Sequence, residues 1–249
     1  MLSRSTQVQQ SPTVSIVMPC FNSAAHIDAT LRSLSEQIFQ DYELIVVDDG
    51  STDDTLLRVE QWRAKLPCLK IIKSTKNLGP GDARNKGIDL ARAKLIALID
   101  SDDVWFKHKL EMQVAVHAAT DCAFSCTAFK FGDTEIYKSK TDYISLLKNN
   151  VINTSSVMFD RSKIDLRFQS EYKSEDYVAW LQVSKKTKIK FINTLLVERC
   201  QIEGASANKL QMAQRRWEIY RRTEGLGFLS AAYYFCHYTV SGVLKHYRA

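Results

Sequence analysis

A chain of 249 residues, 45% hydrophobic and 25% charged, is large enough for one sizeable domain with an appendage. Its composition is too ordinary for a collagen-like, disordered or disulfide-scaffold class. The formal charge of +6 is concentrated: residues 209–249 carry seven Lys or Arg against Glu218 and Glu224, so the body is nearly neutral and the tail basic. Nine Gly and four Pro leave little punctuation, and long regular elements are expected. The polar start, MLSRSTQVQQSPT, has neither the basic n-region nor the apolar stretch of a signal peptide, which predicts a cytosolic chain. The six cysteines have no zinc spacing and are expected to be reduced and mostly buried.

VSIVM (14–18) reads as a buried strand, and Ile27, Leu31, Leu34 and Ile38 then recur on one face of a helix. ELIVV (43–47) is a second strand, followed by a helix with Ser51 or Thr52 as N-cap, Asp53 and Asp54 in its first turn, and Leu56, Val59 and Trp62 inward. LKII (69–72) is a third strand, residues 82–93 a third helix, and KLIALI (94–99) a fourth strand. Continuous apolar strands separated by helices predict an α/β fold, a mostly parallel central sheet flanked by helices. Beyond residue 104 the alternation breaks down. A helix near 106–118, a strand near 121–131, a short helix near 141–149 and a strand near 154–159 are expected there. They are followed by a helix over 174–186 and two extended segments, KIKFI and TLLVERCQI. The division is a flexible N-terminus over 1–12, two halves of one domain over 13–104 and 105–208, and a C-terminal helical appendage over 209–249.

Ligands of an open parallel sheet gather at the carboxyl ends of its strands. Strand one runs into Pro19-Cys20-Phe21-Asn22, strand two into Asp48-Asp49-Gly50-Ser51, and strand four into Asp100-Ser101-Asp102-Asp103. Two acidic clusters side by side repel each other unless a cation sits between them, and a hard divalent ion with oxygen ligands suits the place. Asp100 and Asp102, two apart on an extended chain, point to the same side and suit one Mg²⁺ or Mn²⁺. The alternative is that Asp100 caps the next helix while Asp102 and Asp103 form a solvated turn. Asp49 either opens a turn at Gly50, with Ser51 capping the following helix, or offers its carboxylate to a nucleobase N–H. NLGPGDARNKG (77–87) places Gly79 and Gly81 before a helix and Arg84 in its first turn. Backbone N–H groups and an Arg are what a diphosphate needs, although such turns also occur without ligands. No P-loop, dinucleotide fingerprint or G-x-S-x-G is present.

VSIVMPCFNSAAHIDATLRSL, ELIVVDDGSTDDT, NLGPGDARNKGI and LIALIDSDDVWFKHKLE, in this order and spacing, resemble the family 2 glycosyltransferases of GT-A fold, closely over residues 13 to about 115 and more weakly to about 202. The resemblance implies a UDP-sugar donor carrying a hexose or N-acetylhexosamine, Mn²⁺ or Mg²⁺, and inversion at the anomeric carbon. It places Pro19 and Phe21 on the base, Asp49 on uracil N3, Asp100 near the ribose, Arg84 beside the diphosphate and Asp102 on the metal. Asn22 and Ser101 are counted with the donor-binding set. Residues 13–104 become the nucleotide-sugar half and 105–208 the acceptor half. Ser174-Glu175-Asp176-Tyr177-Val178-Ala179-Trp180 matches the family's acidic pair opening a helix that ends in Trp, which implies Asp176 as general base. Its plainer reading is that Glu175 and Asp176 favour a helix N-terminus. EGASANK (203–209) stands where many relatives carry a mobile loop, without the His often found there.

The tail interleaves its Arg residues with Trp217, Tyr220, Phe228, Tyr233, Tyr234, Phe235, Tyr238 and Tyr247. The 20 uncharged residues between Glu224 and Lys245 match a membrane span in length, yet the hydroxyl groups and His237 among them make a poor one. Interfacial helices on the inner face of the cell membrane are expected, the alternative being helices packed on the body or on a second subunit. Size and layout resemble enzymes that add one sugar to a polyprenyl-diphosphate-linked saccharide in O-antigen or exopolysaccharide assembly, which implies such an acceptor. The rival readings are a metal-dependent phosphohydrolase and a nucleic-acid binder acting through RRWEIYRR. The near-neutral body offers no broad basic face, so no nucleic-acid partner is expected.

Overall fold

The computed structural model describes residues 11–66, 68–137, 140–200 and 209–246. The expected flexible start and the EGASANK loop lie largely outside the described residues. The first half alternates as read from the pattern: β1 (Val14–Cys20), α1 (Ile27–Ser35), β2 (Tyr42–Asp48), α2 (Thr55–Gln61), β3 (Leu69–Lys73), α3 (Pro80–Leu90) and β4 (Leu95–Leu98). These strands pair in parallel, in the order β3-β2-β1-β4. Every residue of β1 and β2 is buried, because helices cover both faces, which is why their sequences are apolar runs rather than alternations.

The polar exceptions inside are paired. Ser15 Oγ donates to Glu43 Oε1 at 2.7 Å, and Glu43 also receives the Arg92 N–H at 2.7 Å, Arg92 Nε at 2.9 Å and Lys70 Nζ at 3.1 Å. Burial alone raises the Glu43 carboxyl, but the Ser15, Arg92 and Lys70 donors outweigh it and hold the group at about 2.

Local differences from the pattern have physical reasons. α1 buries Ile27, Leu31 and Leu34 but ends at Ser35, so Ile38 falls outside the helix and is 48% exposed. α2 is preceded by Asp54 rather than capped by Ser51 or Thr52. Val59 and Trp62 turn inward, whereas Leu56 is half-buried. α3 begins two residues early, at Pro80, where proline's fixed φ suits a first helical position. A Cβ on Gly87 would stand 2.4 Å from Val17 Cγ1, so α3 rests on β1 at a spacing only glycine permits.

The second half comprises β5 (Val104–Trp105), α4 (Lys109–Thr120), β6 (Phe124–Phe131), β7 (Thr134–Ile136), α5 (Tyr143–Lys148), a 3₁₀ turn (Thr154–Ser156), β8 (Met158–Asp160), α6 (Glu175–Lys186) and β9 (Ile189–Arg199). The same sheet continues as β8-β6-β9-β5, with β7 on β6. Here antiparallel pairs (β4/β8, β6/β8, β6/β7, β5/β9) join one parallel pair, β6/β9. The two extended segments expected at the end form the single strand β9, whose register against β6 shifts on either side of Ala128. β5 and β7 are too short to show a period. On one side of the sheet α6 carries Trp180, whose ring centroid lies 5.5 Å from Phe124 and 5.8 Å from Phe168.

α7 (Lys209–Glu218), a π-helical turn (Ile219–Thr223) and α8 (Phe228–His246) follow. Ile219, Tyr220 and Ala231 are buried in the same core as α5 and α6. Tyr220 donates its hydroxyl to the Leu147 carbonyl and Tyr143 to Glu224 Oε2, which also receives Lys185 Nζ at 2.6 Å. One side of the tail is thus packed on the body, while Phe228, Leu229, Tyr233 and Val240 are exposed. Among the described residues no helix is long and apolar enough to cross a membrane. The cysteines are all free, but only Cys20 and Cys126 are buried, so the expectation of mostly buried thiols is corrected: the others fall at loops and on outward faces.

Candidate active site

The ends of β1, β2 and β4 meet in one cleft. Just past β1, Asn22 takes a left-handed conformation (φ 48°), which short polar side chains tolerate. Its N–H donates to Ser51 Oγ at 2.9 Å and its Oδ1 accepts from the Thr52 N–H at 2.9 Å. Ser51 is therefore occupied by the neighbouring turn instead of capping α2. The Ser23 N–H donates to Thr55 Oγ1 at 2.7 Å, and Ser23 Oγ meets Ser101 Oγ at 2.8 Å. Asp48, buried, accepts from the Ser51 N–H at 3.3 Å across the turn at Gly50 (φ +86°).

Asp49, 4% exposed, accepts from the N–H groups of Leu78 at 3.1 Å and Gly79 at 2.7 Å. The N–H of Gly79, expected to face a diphosphate, is thus directed to Asp49, and Gly81 packs closely against the start of α6 and the segment before it: a Cβ there would lie 2.9 Å from Ser170 Oγ and 3.0 Å from Glu175 Cγ. Arg84 is buried and ion-paired twice, through Nη2 to Asp100 Oδ1 at 2.6 Å and through Nη1 to Glu175 Oε1 at 2.9 Å. Its guanidinium lies over the Phe168 ring, 5.2 Å from the centroid. It ties the first half to α6.

At the end of β4 the Asp100 N–H donates to Ser155 Oγ at 3.0 Å, and Ser155 Oγ donates to Asp103 Oδ2 at 2.5 Å. The Cys200 N–H donates to Asp103 Oδ1 at 3.2 Å. The plain alternative of a helix cap and a solvated turn does not describe this segment. α4 starts only after His108, and Asp103 is 2% exposed. Burial, with Asp100 and Asp102 adding repulsion that the Ser155 and Cys200 hydrogen bonds only partly offset, raises Asp103 to about 7. Burial and Asp100 likewise raise the Asp102 carboxyl, a charge deficit that a cation would relieve.

Pro19, Phe21, Asn22, Asp49, Arg84, Asp100, Ser101 and Asp102 all line this cleft, whose volume is about 340 Å³, together with Cys20, Ser23, His26, Asn77 and Pro80. Those last five and the supporting Thr55 lie inside the family-like segments without a role that the resemblance assigns to them, and Ser155 lies outside those segments. Asp176 is elsewhere: it follows the Arg84 partner Glu175 and lines a separate pocket of about 190 Å³ with Asn150, Ser174, Tyr177, Met212, Arg216, Ile219 and Tyr238. Burial and Glu175 raise its carboxyl, against the pull of Arg84. Its Oδ1 also accepts the Tyr177 N–H at 2.7 Å, as the helix-terminus reading requires.

Among the described residues no group of three or more His, Cys, Asp or Glu side chains forms a metal cage. Asp100 is engaged by Arg84, leaving Asp102 as the uncommitted carboxylate. Such a donor set fits an ion that takes one or two carboxylates and completes its shell with phosphate and water. It does not fit a two-metal hydrolase.

Residues 15–174, more than half of the chain, match the model of the glycosyl transferase family 2. The chain belongs to that family. This family 2 enzyme is 31% identical over 245 residues, 94% of its own length and 97% of the relative's, to TuaG of Bacillus subtilis strain 168, a protein named for a glycosyltransferase role in teichuronic acid biosynthesis. It is also 31% identical over 253 residues, 94% of each chain, to WfgD of Escherichia coli, named UDP-Glc:alpha-D-GlcNAc-diphosphoundecaprenol beta-1,3-glucosyltransferase. Among solved structures, Staphylococcus aureus TarS 1–349 in complex with UDP-GlcNAc superposes with a TM-score of 0.71 at 21% identity, covering 91% of this chain and 71% of that one. The mannosyltransferase PcManGT of Pyrobaculum calidifontis, in complex with GDP-Man and Mn²⁺, superposes with a TM-score of 0.70 at 18% identity, covering 91% and 70%. The glycosyltransferase therefore has the GT-A fold, with a helical C-terminal segment.

Proposed function

We propose that this glycosyltransferase moves one sugar from a UDP-sugar, with inversion, to a hydroxyl of a saccharide linked through diphosphate to a polyprenyl lipid, in surface polysaccharide assembly. The observation that carries the reading is the cleft at the parallel strand ends, which gathers Pro19, Phe21 and Asp49 at one set of turns and Asp100, Ser101 and Asp102 at the other. The names of WfgD and TuaG support the acceptor class and the kind of polymer.

In this reading the base lies between Pro19 and Phe21, and Asp49, already fixed by Leu78 and Gly79, has a lone pair left for uracil N3. Arg84 holds Asp100 in place beside the ribose. Asp102 would hold Mn²⁺ or Mg²⁺, which supplies positive charge to the departing diphosphate. The acceptor oxygen attacks C1, the bond from C1 to the diphosphate oxygen breaks with its electron pair leaving on UDP, and the hydroxyl proton passes to Asp176. A carboxyl raised by burial is the better proton acceptor for that step. The exposed Phe228, Leu229, Tyr233 and Val240 of α8, with Arg221 and Arg222 exposed nearby in sequence, suit peripheral contact with an anionic membrane at its inner face, where such an acceptor resides.

Calorimetric titration of UDP tests the donor site. Binding in Mn²⁺ that is weakened by EDTA is expected. Asp102→Ala should abolish the metal dependence and lower turnover by roughly 10²- to 10³-fold. Absence of UDP binding under both conditions, with GDP and dTDP as controls, would overturn the reading.

A further inference from the structure

Asp176 shares its pocket with a cation that has no ion-pair partner among the described residues. Arg216, on α7, lies between two rings, its guanidinium carbon 3.6 Å from the Tyr177 centroid and 4.6 Å from that of Tyr238. Its Nη1 is buried without a hydrogen-bond partner, and among the described residues no carboxylate lies within ion-pair distance of it. Arg84, more deeply buried, has two. Arg216 is partly buried, and a partly desolvated cation without an anion still carries a cost; stacking on aromatic faces offsets some of it but leaves the charge unmatched. Of the residues lining this pocket only Asp176 and Arg216 carry formal charge, and Asn150, Ser174 and the Tyr238 ring complete its wall.

One end of the pocket thus presents a proton acceptor and the other a site short of one anion. A sugar 1-diphosphate carries both complements on a single ring: a free hydroxyl and, a few bonds away, a phosphate. Guanidinium is well matched to phosphate oxygens by its forked donors. We propose that Arg216 binds the sugar-proximal phosphate of the acceptor, so that the C-terminal helices build the acceptor subsite rather than only anchoring to the body. This rests on the transferase reading above and adds to it the residue that selects a diphosphate-linked acceptor over a neutral glycoside.

The test compares two acceptors of the same sugar, N-acetylglucosamine α-diphosphate carrying an undecyl chain and the neutral undecyl glycoside, using the full-length enzyme with Mn²⁺ and a panel of UDP-sugars. Arg216→Gln should raise KM for the diphosphate acceptor by about 10- to 100-fold, with kcat/KM for the neutral glycoside and the affinity for UDP within about twofold of wild type. Arg216→Lys, which keeps the charge without the fork, should recover part of the loss. Equal loss on both acceptors, or loss of UDP binding with it, would make Arg216 a packing residue and overturn the inference. So would unchanged KM in Arg216→Gln. Failure of the wild-type enzyme to use either acceptor, despite metal-dependent UDP binding, would instead bring down the acceptor class and this inference with it.

Discussion

The two sides of this transferase are built by different means. The proposed donor cleft hangs from parallel strands whose terminal turns are stitched to one another through Asn22, Ser51, Asp49 and Ser101. The Asp176 pocket is walled by helices, two of them from the tail, and is held by ring stacking and shape more than by backbone bonds. A diphosphate nucleotide rewards a rigid, hydrogen-bonded cradle. The proposed acceptor side, built mostly on side chains, is where relatives of one fold can diverge.

That contrast is broken most directly at Asp176. Asp176→Asn should lower kcat by roughly 10²- to 10⁴-fold while UDP titrates as in wild type; a matching loss of UDP affinity would place Asp176 on the donor side. Arg84 is the strut between the sides. Arg84→Met strands Asp100 and Glu175 without their cation and should cost about 3–5 kcal/mol of stability, read as a lowered unfolding midpoint in urea, with UDP binding weakened as well. Gly87→Ala sharpens the comparison from beneath the cleft. Overpacking against Val17 should cost about 1–3 kcal/mol and should weaken UDP binding more than acceptor binding, measured by calorimetry and by KM. A smaller effect belongs to Glu43. A carboxyl held at about 2 contributes stability that is present above the ordinary glutamate range and lost as pH falls toward 2. Glu43→Gln should reduce stability at neutral pH by about 1–3 kcal/mol and flatten the loss between pH 4.5 and 2, followed by thermal unfolding across that range.

The first half was legible because buried parallel strands are mostly apolar and run out in Pro or Asp, so the strand ends, and with them the cleft, can be marked on the sequence. The contacts behind the cleft could not be read in this way. Ser155 reaches Asp103 across 52 positions and Cys200 reaches it across 97, and a lone hydroxyl or N–H leaves no pattern. Arg84 shows the limit within a motif: its place in the first turn of a helix suggested a diphosphate, and its pairing with Asp100 and with Glu175 from α6 left no mark in the sequence. Ile38 continued the spacing of α1 past the point where that helix stops. For the tail, aromatic and basic residues serve a membrane face and a packed face equally well in composition. Only the burial of Ile219, Tyr220 and Ala231 distinguishes which residues turn inward.

The π-helical turn at Ile219–Thr223 sets the rotational phase of α7. Each residue added or removed in a helix turns everything beyond it by about 100°, and π turns are single-step shifts of that phase. With Tyr220 clamped to Leu147, α7 has Arg216 directed between Tyr177 and Tyr238. A one-residue deletion that restored α-helical winding would leave the chain's composition and tail anchor nearly unchanged, yet swing Arg216 out of register with Asp176. On the proposed reading, acceptor preference would therefore change through the length of a single turn, with no change to the cleft at the strand ends.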